Sequence, residues 1–176
     1  DLILPFEASI PFSLLIAYMT ASDRRWCTWC LGCVPPMPAD LIQAAVDLAA
    51  QADVAVIVAG LTREWESEGF DRENMKLAGQ QDELIARVAA ANANTVVVLN
   101  AGSPLETVWL DAVPAVLQQW YGGQDAGHAL ADVLFGDVNP SAKLPTTFPQ
   151  RLQDNPAYIN YPGETRQVHC AEGTFV

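Results

Sequence analysis

Two nearly continuous apolar runs, "ADVAVIVAG" at 52–60 and "TVVVLNAG" at 95–102, flank a segment of different rhythm. Neither run alternates, so neither suits a strand with one wet face. Both suit strands of a parallel sheet covered on both sides. Between them, "QQDELIARVAAANAN" sets Leu84, Ile85, Val88 and Ala89 at helical spacing and predicts an amphipathic helix. Upstream, two sets repeat that period: Leu41, Ala45 and Leu48, and Ile42, Val46 and Ala49. Asp40 serves there as the expected N-cap, and Gln43 completes a start resembling a capping box. Downstream, "AVLQQWYGG" reads as a third strand and "DAGHALADVLFGD" as a helix closed by Gly136. The prolines of "NPSAKLPTTFP" exclude helix and favour an extended edge segment.

Strand, loop, helix, strand is the order of a layered α/β fold, in which ligands gather at the carboxyl ends of the strands. Three loops answer to that position: the one after Gly60, the one at Asn100 to Ser103, and the one at Tyr121 to Gln124. They are expected to line one edge. The pattern changes at "VPPMPAD". Before it no period is sustained, and the apolar stretch "SIPFSLLIAYMTA" is too short to span a bilayer. No basic region or small-residue cleavage site precedes that stretch, and no compartment follows from this.

With 176 residues the chain has length for one domain and a real core. A net charge of −12 without any Lys/Arg cluster argues against nucleic acid and anionic membranes as partners, and is neutral about sugars. Cys27, Cys30 and Cys33 have metal-like spacing, but a zinc site needs a fourth ligand. Only Cys170 or His169 offers one, and only if the chain ends meet, so these read as free thiols and no metal is expected. His128 and His169 read as surface or packing histidines.

The first loop, "GLTREWESEGFDRENM", carries Glu64, Glu66 and Glu68 at alternating positions. Like charges so close raise the cost of ionising each one. A calcium loop of the EF-hand kind fails because Met75 stands where the bidentate glutamate belongs. Nucleotide binding lacks both G-x-G-x-x-G and a Walker lysine. "AGSPLE" does not supply the G-x-S-x-G of a serine hydrolase. The residues alone leave two readings: a solvated acidic segment, or half of a carboxylate pair.

Two long stretches bear on that choice. "EWESEGFDRENMKLAGQQDELIARVAAANANTVVVLNAGSP" and "WYGGQDAGHALADVLFGDVNPSAKLPTTFPQRLQDNPAYINYPGE" resemble the second domain of glycoside hydrolase family 3. The likeness is to the fungal and yeast β-glucosidases with an inserted PA14 domain. It runs from about Pro35 to the end, so residues 1–34 are left as an unassigned divergent segment or linker and 35–176 as the domain. Ala142 departs from the glycine common there. The resemblance implies a three-layer α/β sandwich with a mostly parallel sheet, packed on a TIM-like barrel elsewhere in the same full-length chain. It also implies a retaining β-glucosidase acting on β-glucosides without a cofactor, with an aspartate nucleophile on the barrel.

The E-G-x-D-R motif of the family falls on Glu68, Gly69, Phe70, Asp71 and Arg72, which makes Glu68 the implied general acid/base. Glu64, Trp65, Glu66, Gly69, Asp71 and Arg72 are the implied supporting loop. A retaining glycosidase uses two carboxyl groups about 5 Å apart, one of them protonated to release the leaving group. Neighbouring carboxylates and an aromatic such as Trp65 or Phe70 favour a protonated donor. Gly69 is expected to permit a tight turn beside the sugar, and Asp71 and Arg72 to form an ion pair that fixes the loop. A non-catalytic sandwich module that binds carbohydrate or another protein is the alternative.

Overall fold

The computed structural model describes residues 14–18 and 39–161. Its centre is a four-stranded parallel sheet made of β1 (Leu14–Tyr18), β2 (Val54–Gly60), β3 (Thr95–Asn100) and β4 (Ala115–Gln118), side by side in chain order. Val56 of β2 lies opposite Ile16 of β1 and Val96 of β3, and Val97 of β3 lies opposite Val116 of β4. Neighbouring parallel strands joined by right-handed crossovers place successive helices on one face of the sheet. Here α1 (Ala39–Ala49) and α2 (Gln81–Ala91) share such a face.

The packing explains the sequence pattern. Ile42 and Ala49 of α1 and Leu84, Ile85 and Val88 of α2 bury against Ala55, Ile57, Ala59, Val97 and Leu99 of the sheet. Val56 and Val98 point to the opposite face and are buried as well, which is why neither strand alternates. Of the two periodic sets in α1, the one containing Ile42, Val46 and Ala49 faces the core, while Leu41 and Leu48 lie exposed. Asn92 ends α2 in an extended conformation, and its amide donates to the Ala49 and Ala52 carbonyls at 2.8 Å. That side chain caps the far end of α1 while terminating its own helix.

The α/β sandwich on a parallel sheet is therefore the fold of this chain, with four corrections. The stretch without a sustained period contains β1, because a five-residue strand in a parallel sheet has no alternation to detect. Helix α1 begins at Ala39, so Asp40 lies in its first turn rather than at the N-cap. Strand β4 ends at Gln118 because Trp120 turns to φ 58°, a conformation bulky residues rarely adopt. "NPSAKLPTTFP" pairs with no strand among the described residues; the Thr107 amide and hydroxyl pin Pro149 at its end, and Phe148 packs on the core. The expected stop of α3 (Ala126–Leu134) is present, with Gly136 at φ 83°. The cysteines, His169 and the boundary near Pro35 lie outside the described residues.

Candidate active site

The loop after β2 runs from Gly60 to the start of α2, and one side chain closes its base. Gln81 accepts from the Gly60 amide at 2.8 Å and donates to the Gly60 and Ala78 carbonyls at 3.0 Å. Gly60 itself runs so close to β3 that a Cβ there would overlap the Asn100 carbonyl oxygen. Within the loop, the Trp65 and Glu66 amides both bond to the Thr62 carbonyl, and Trp65 packs at the margin of the core. The chain then folds back on itself in a bridge between Ser67 and Phe70, with the Gly69 amide donating to the Ser67 hydroxyl at 3.2 Å. Glu68 and Gly69 form the tip.

The three glutamates are not equivalent. Glu64 accepts from the Thr62 hydroxyl at 2.5 Å. Glu66 reaches across to the other two strand ends: its Oε2 accepts from the Gly102 amide at 2.8 Å and the Tyr121 hydroxyl at 2.5 Å, and its Oε1 from the Ser103 hydroxyl. Burial pushes the Glu66 carboxyl up, but Ser103, Tyr121, Gly102 and the charge of Arg72 together outweigh it and hold the group below its ordinary value. The Tyr121 phenol is pushed up to about 12 by desolvation and by its bond to, and the charge of, Glu66. The pair is thus a carboxylate held by a neutral phenol. Glu68 is exposed, and its carboxyl makes no hydrogen bond or ion pair among the described residues.

Two expectations about the supporting loop change. Asp71 and Arg72 form no ion pair; the Arg72 guanidinium instead donates to the Pro104 carbonyl at 2.9 Å, and its Nη1 is buried without a hydrogen-bond partner. An arginine that satisfies a backbone carbonyl of the β3 loop fixes the segment across the site rather than along it. Gly69 is also not required by the turn: its φ is not in the left-handed region, and an added Cβ would meet only the Ser67 hydroxyl, at 3.7 Å. The expected edge of three loops does form, with Glu66 joining all of them. Gln81, Gly102, Ser103 and Tyr121 are site residues that the loop motif alone did not single out, although the loops carrying three of them did border the predicted edge.

Farther along the rim, the Trp109 indole donates to Asp82 at 2.8 Å, and Glu106 accepts from the Leu152 amide at 2.7 Å. Burial raises the Asp82 carboxyl above its ordinary value, with the Glu106 charge adding and the Trp109 bond opposing. Among the described residues no group of three or more His, Cys, Asp or Glu side chains is arranged to hold a metal ion. No helix there is long and apolar enough to cross a membrane.

An α/β domain whose acidic loop overhangs the carboxyl edge of a parallel sheet is the class that these features define. The family described as "Glycosyl hydrolase family 3 C-terminal domain" matches residues 8–176, and the chain belongs to it. It is 53% identical over 137 residues to "Probable beta-glucosidase I" of Aspergillus clavatus, a match covering 78% of this chain and 16% of that protein. The β-glucosidase of Kluyveromyces marxianus, solved in complex with glucose, shares 49% identity at a TM-score of 0.67, covering 73% of this chain and 16% of that one. The family 3 β-glucosidase of Bifidobacterium adolescentis shares 44% identity at a TM-score of 0.68, covering 84% and 22% respectively. The chain thus spans less than a quarter of the length of these relatives.

Proposed function

We propose that this chain is the part of a retaining β-glucosidase that supplies the general acid/base, Glu68, to an active site completed by a barrel domain of the same full-length protein. One observation carries the assignment within the loop. Glu66 is committed to three donors and stays ionised, and Glu64 is bound to Thr62, whereas Glu68 stands exposed at the tip of a turn. A carboxylate stabilised by several donors holds no proton to give. A carboxyl at an exposed tip can enter a cleft formed with a second domain, where desolvation favours the protonated form.

In this reading, the barrel's nucleophile attacks the anomeric carbon as the bond to the leaving oxygen breaks and Glu68 protonates that oxygen. The Glu68 carboxylate then takes a proton from the water that hydrolyses the glucosyl-enzyme. Since the fold leaves room for a side chain at Gly69, any need for glycine there comes from the ligand. A substrate passing close to the backbone would impose it.

The test is Glu68→Ala in the full-length enzyme. General acid catalysis is worth about 10² to 10⁴ in rate, and poor leaving groups depend on it most. Cellobiose hydrolysis should collapse while glycosylation by a dinitrophenyl glucoside survives, and azide should then restore turnover by forming β-glucosyl azide. The 176-residue chain alone should turn over neither substrate. If Glu66→Ala shows the azide rescue and Glu68→Ala does not, the acid has been misassigned by two positions.

A further inference from the structure

We infer that Tyr121 is a positioning residue for the acid/base carboxyl, acting through Glu66; the inference rests on the assignment of Glu68 above. The segment bearing Glu68 is strung between two anchors. Before it, Glu66 binds Gly102, Ser103 and Tyr121; after it, Arg72 binds Pro104. Both anchors reach the β3 loop, but among the described residues Tyr121 alone ties the segment to the end of β4.

Three features of the fold serve that single bond. Trp120 takes φ 58°, which turns the chain out of the line of β4 just before Tyr121. Its ring is held edge-on by Phe148 at 6.1 Å, and Phe148 in turn packs on the core. Gly102 then leaves space for the phenol ring: a Cβ there would lie 2.7 Å from Tyr121 Cε2 and 3.3 Å from Glu66 Oε2. Tyr121 is 54% exposed, so its side chain adds little to the core. A strained backbone, an aromatic clamp and a missing side chain all converge on a hydroxyl whose partner is Glu66. Glu66 lies two residues before the tip, with its amide fixed to Thr62, so the direction of its side chain sets where the turn Ser67–Phe70 projects.

Removing the hydroxyl leaves Glu66 with Gly102 and Ser103. The loop stays folded, but one of its three directions is lost. Small displacements of a catalytic group are costly because proton transfer requires hydrogen-bond reach. In the full-length enzyme, Tyr121→Phe should lower kcat/KM for cellobiose about tenfold and that for dinitrophenyl glucoside less than about twofold. Gly102→Ala, which drives a methyl group into the phenol ring, should give the same split. Glu66→Gln with Tyr121→Phe should fall short of the sum of the single effects, because both act on one bond. A merely structural role removes active enzyme and lowers both substrates equally. Equal losses on both substrates, or no loss on either, would overturn the positioning role. If Glu68→Ala separates the two substrates and Tyr121→Phe does not, only this inference fails. If Glu68→Ala does not separate them, the acid assignment fails whatever Tyr121 does.

Discussion

The core between β2, β3 and the helices α1 and α2 is held in one way, and the rim of loops at the strand ends in another. In the core, Ile42, Ile57, Leu84, Ile85, Val97 and Leu99 are fully buried or nearly so, and their attraction is additive and without direction. In the rim, position depends on a few directional bonds: Gln81 on Gly60, Glu66 on three donors, Arg72 on Pro104. Large apolar groups there, Phe70 and Tyr121 among them, stay about half exposed. Stability is therefore concentrated in one region and site geometry in the other. A change in the core should weaken the protein without redirecting its chemistry, and a change in the rim should do the reverse.

The sharpest way to break this division is a cavity in the core. Leu84→Ala should cost about 2–5 kcal/mol, measured by denaturant unfolding, since the side chain is 1% exposed and its neighbours can close only part of the space. The same variant should leave the ratio of cellobiose to dinitrophenyl glucoside turnover unchanged in the full-length enzyme. A changed ratio would mean that the core sets the rim directly.

Two glycines on the one loop sharpen the contrast. Gly60→Ala forces a methyl group into the Asn100 carbonyl and should cost about 3 kcal/mol, because backbone on the neighbouring strand has nowhere to move. Gly69→Ala meets only the Ser67 hydroxyl, at 3.7 Å, and should change stability by less than about 0.5 kcal/mol. If Gly69→Ala nonetheless raises KM strongly, the demand for glycine lies in the bound sugar.

The smallest effects should appear as opposite slopes with pH. Glu66 has a folded value below its ordinary 4.5, so its contribution is present above that value and lost as pH falls through the folded one. Asp82 has a folded value above its ordinary 3.8, so its contribution is present below that value and lost as pH rises through the folded one. On acidification, Glu66→Gln should lose stability less steeply than the native chain and Asp82→Asn more steeply, by chemical unfolding at several pH values. Parallel slopes for all three would show that neither site is coupled to folding.

The difference between the regions also decides what could be read without coordinates. Strands β2 and β3 and helix α2 were legible because burial on both faces, or along one stripe, leaves a period in the residues themselves. Strand β1 was not, since "LLIAY" is too short and too uniform to carry a period and is defined by its pairing with β2. The end of β4 was missed for a related reason: "AVLQQWYGG" continues apolar past Gln118, while the backbone of Trp120 leaves the sheet.

The acidic loop could be located from sequence, because a parallel strand ending in glycine implies a loop at the ligand-binding edge. The alternation of Glu64, Glu66 and Glu68 showed three similar carboxyl groups, and the family motif pointed to one of them. What the motif could not provide was the distinction in their surroundings. Glu66 became an ionised anchor because Gly102, Ser103 and Tyr121, distant in sequence, arrive at its two oxygens. Arg72 turned from its neighbour Asp71 to Pro104 for the same kind of reason. Apolar periodicity is a property of neighbouring residues, so the chain by itself determined the layers and the edge where a ligand belongs. Hydrogen bonds between strand ends depend on distances that only packing creates, so the tertiary structure decided which glutamate is held and which is free.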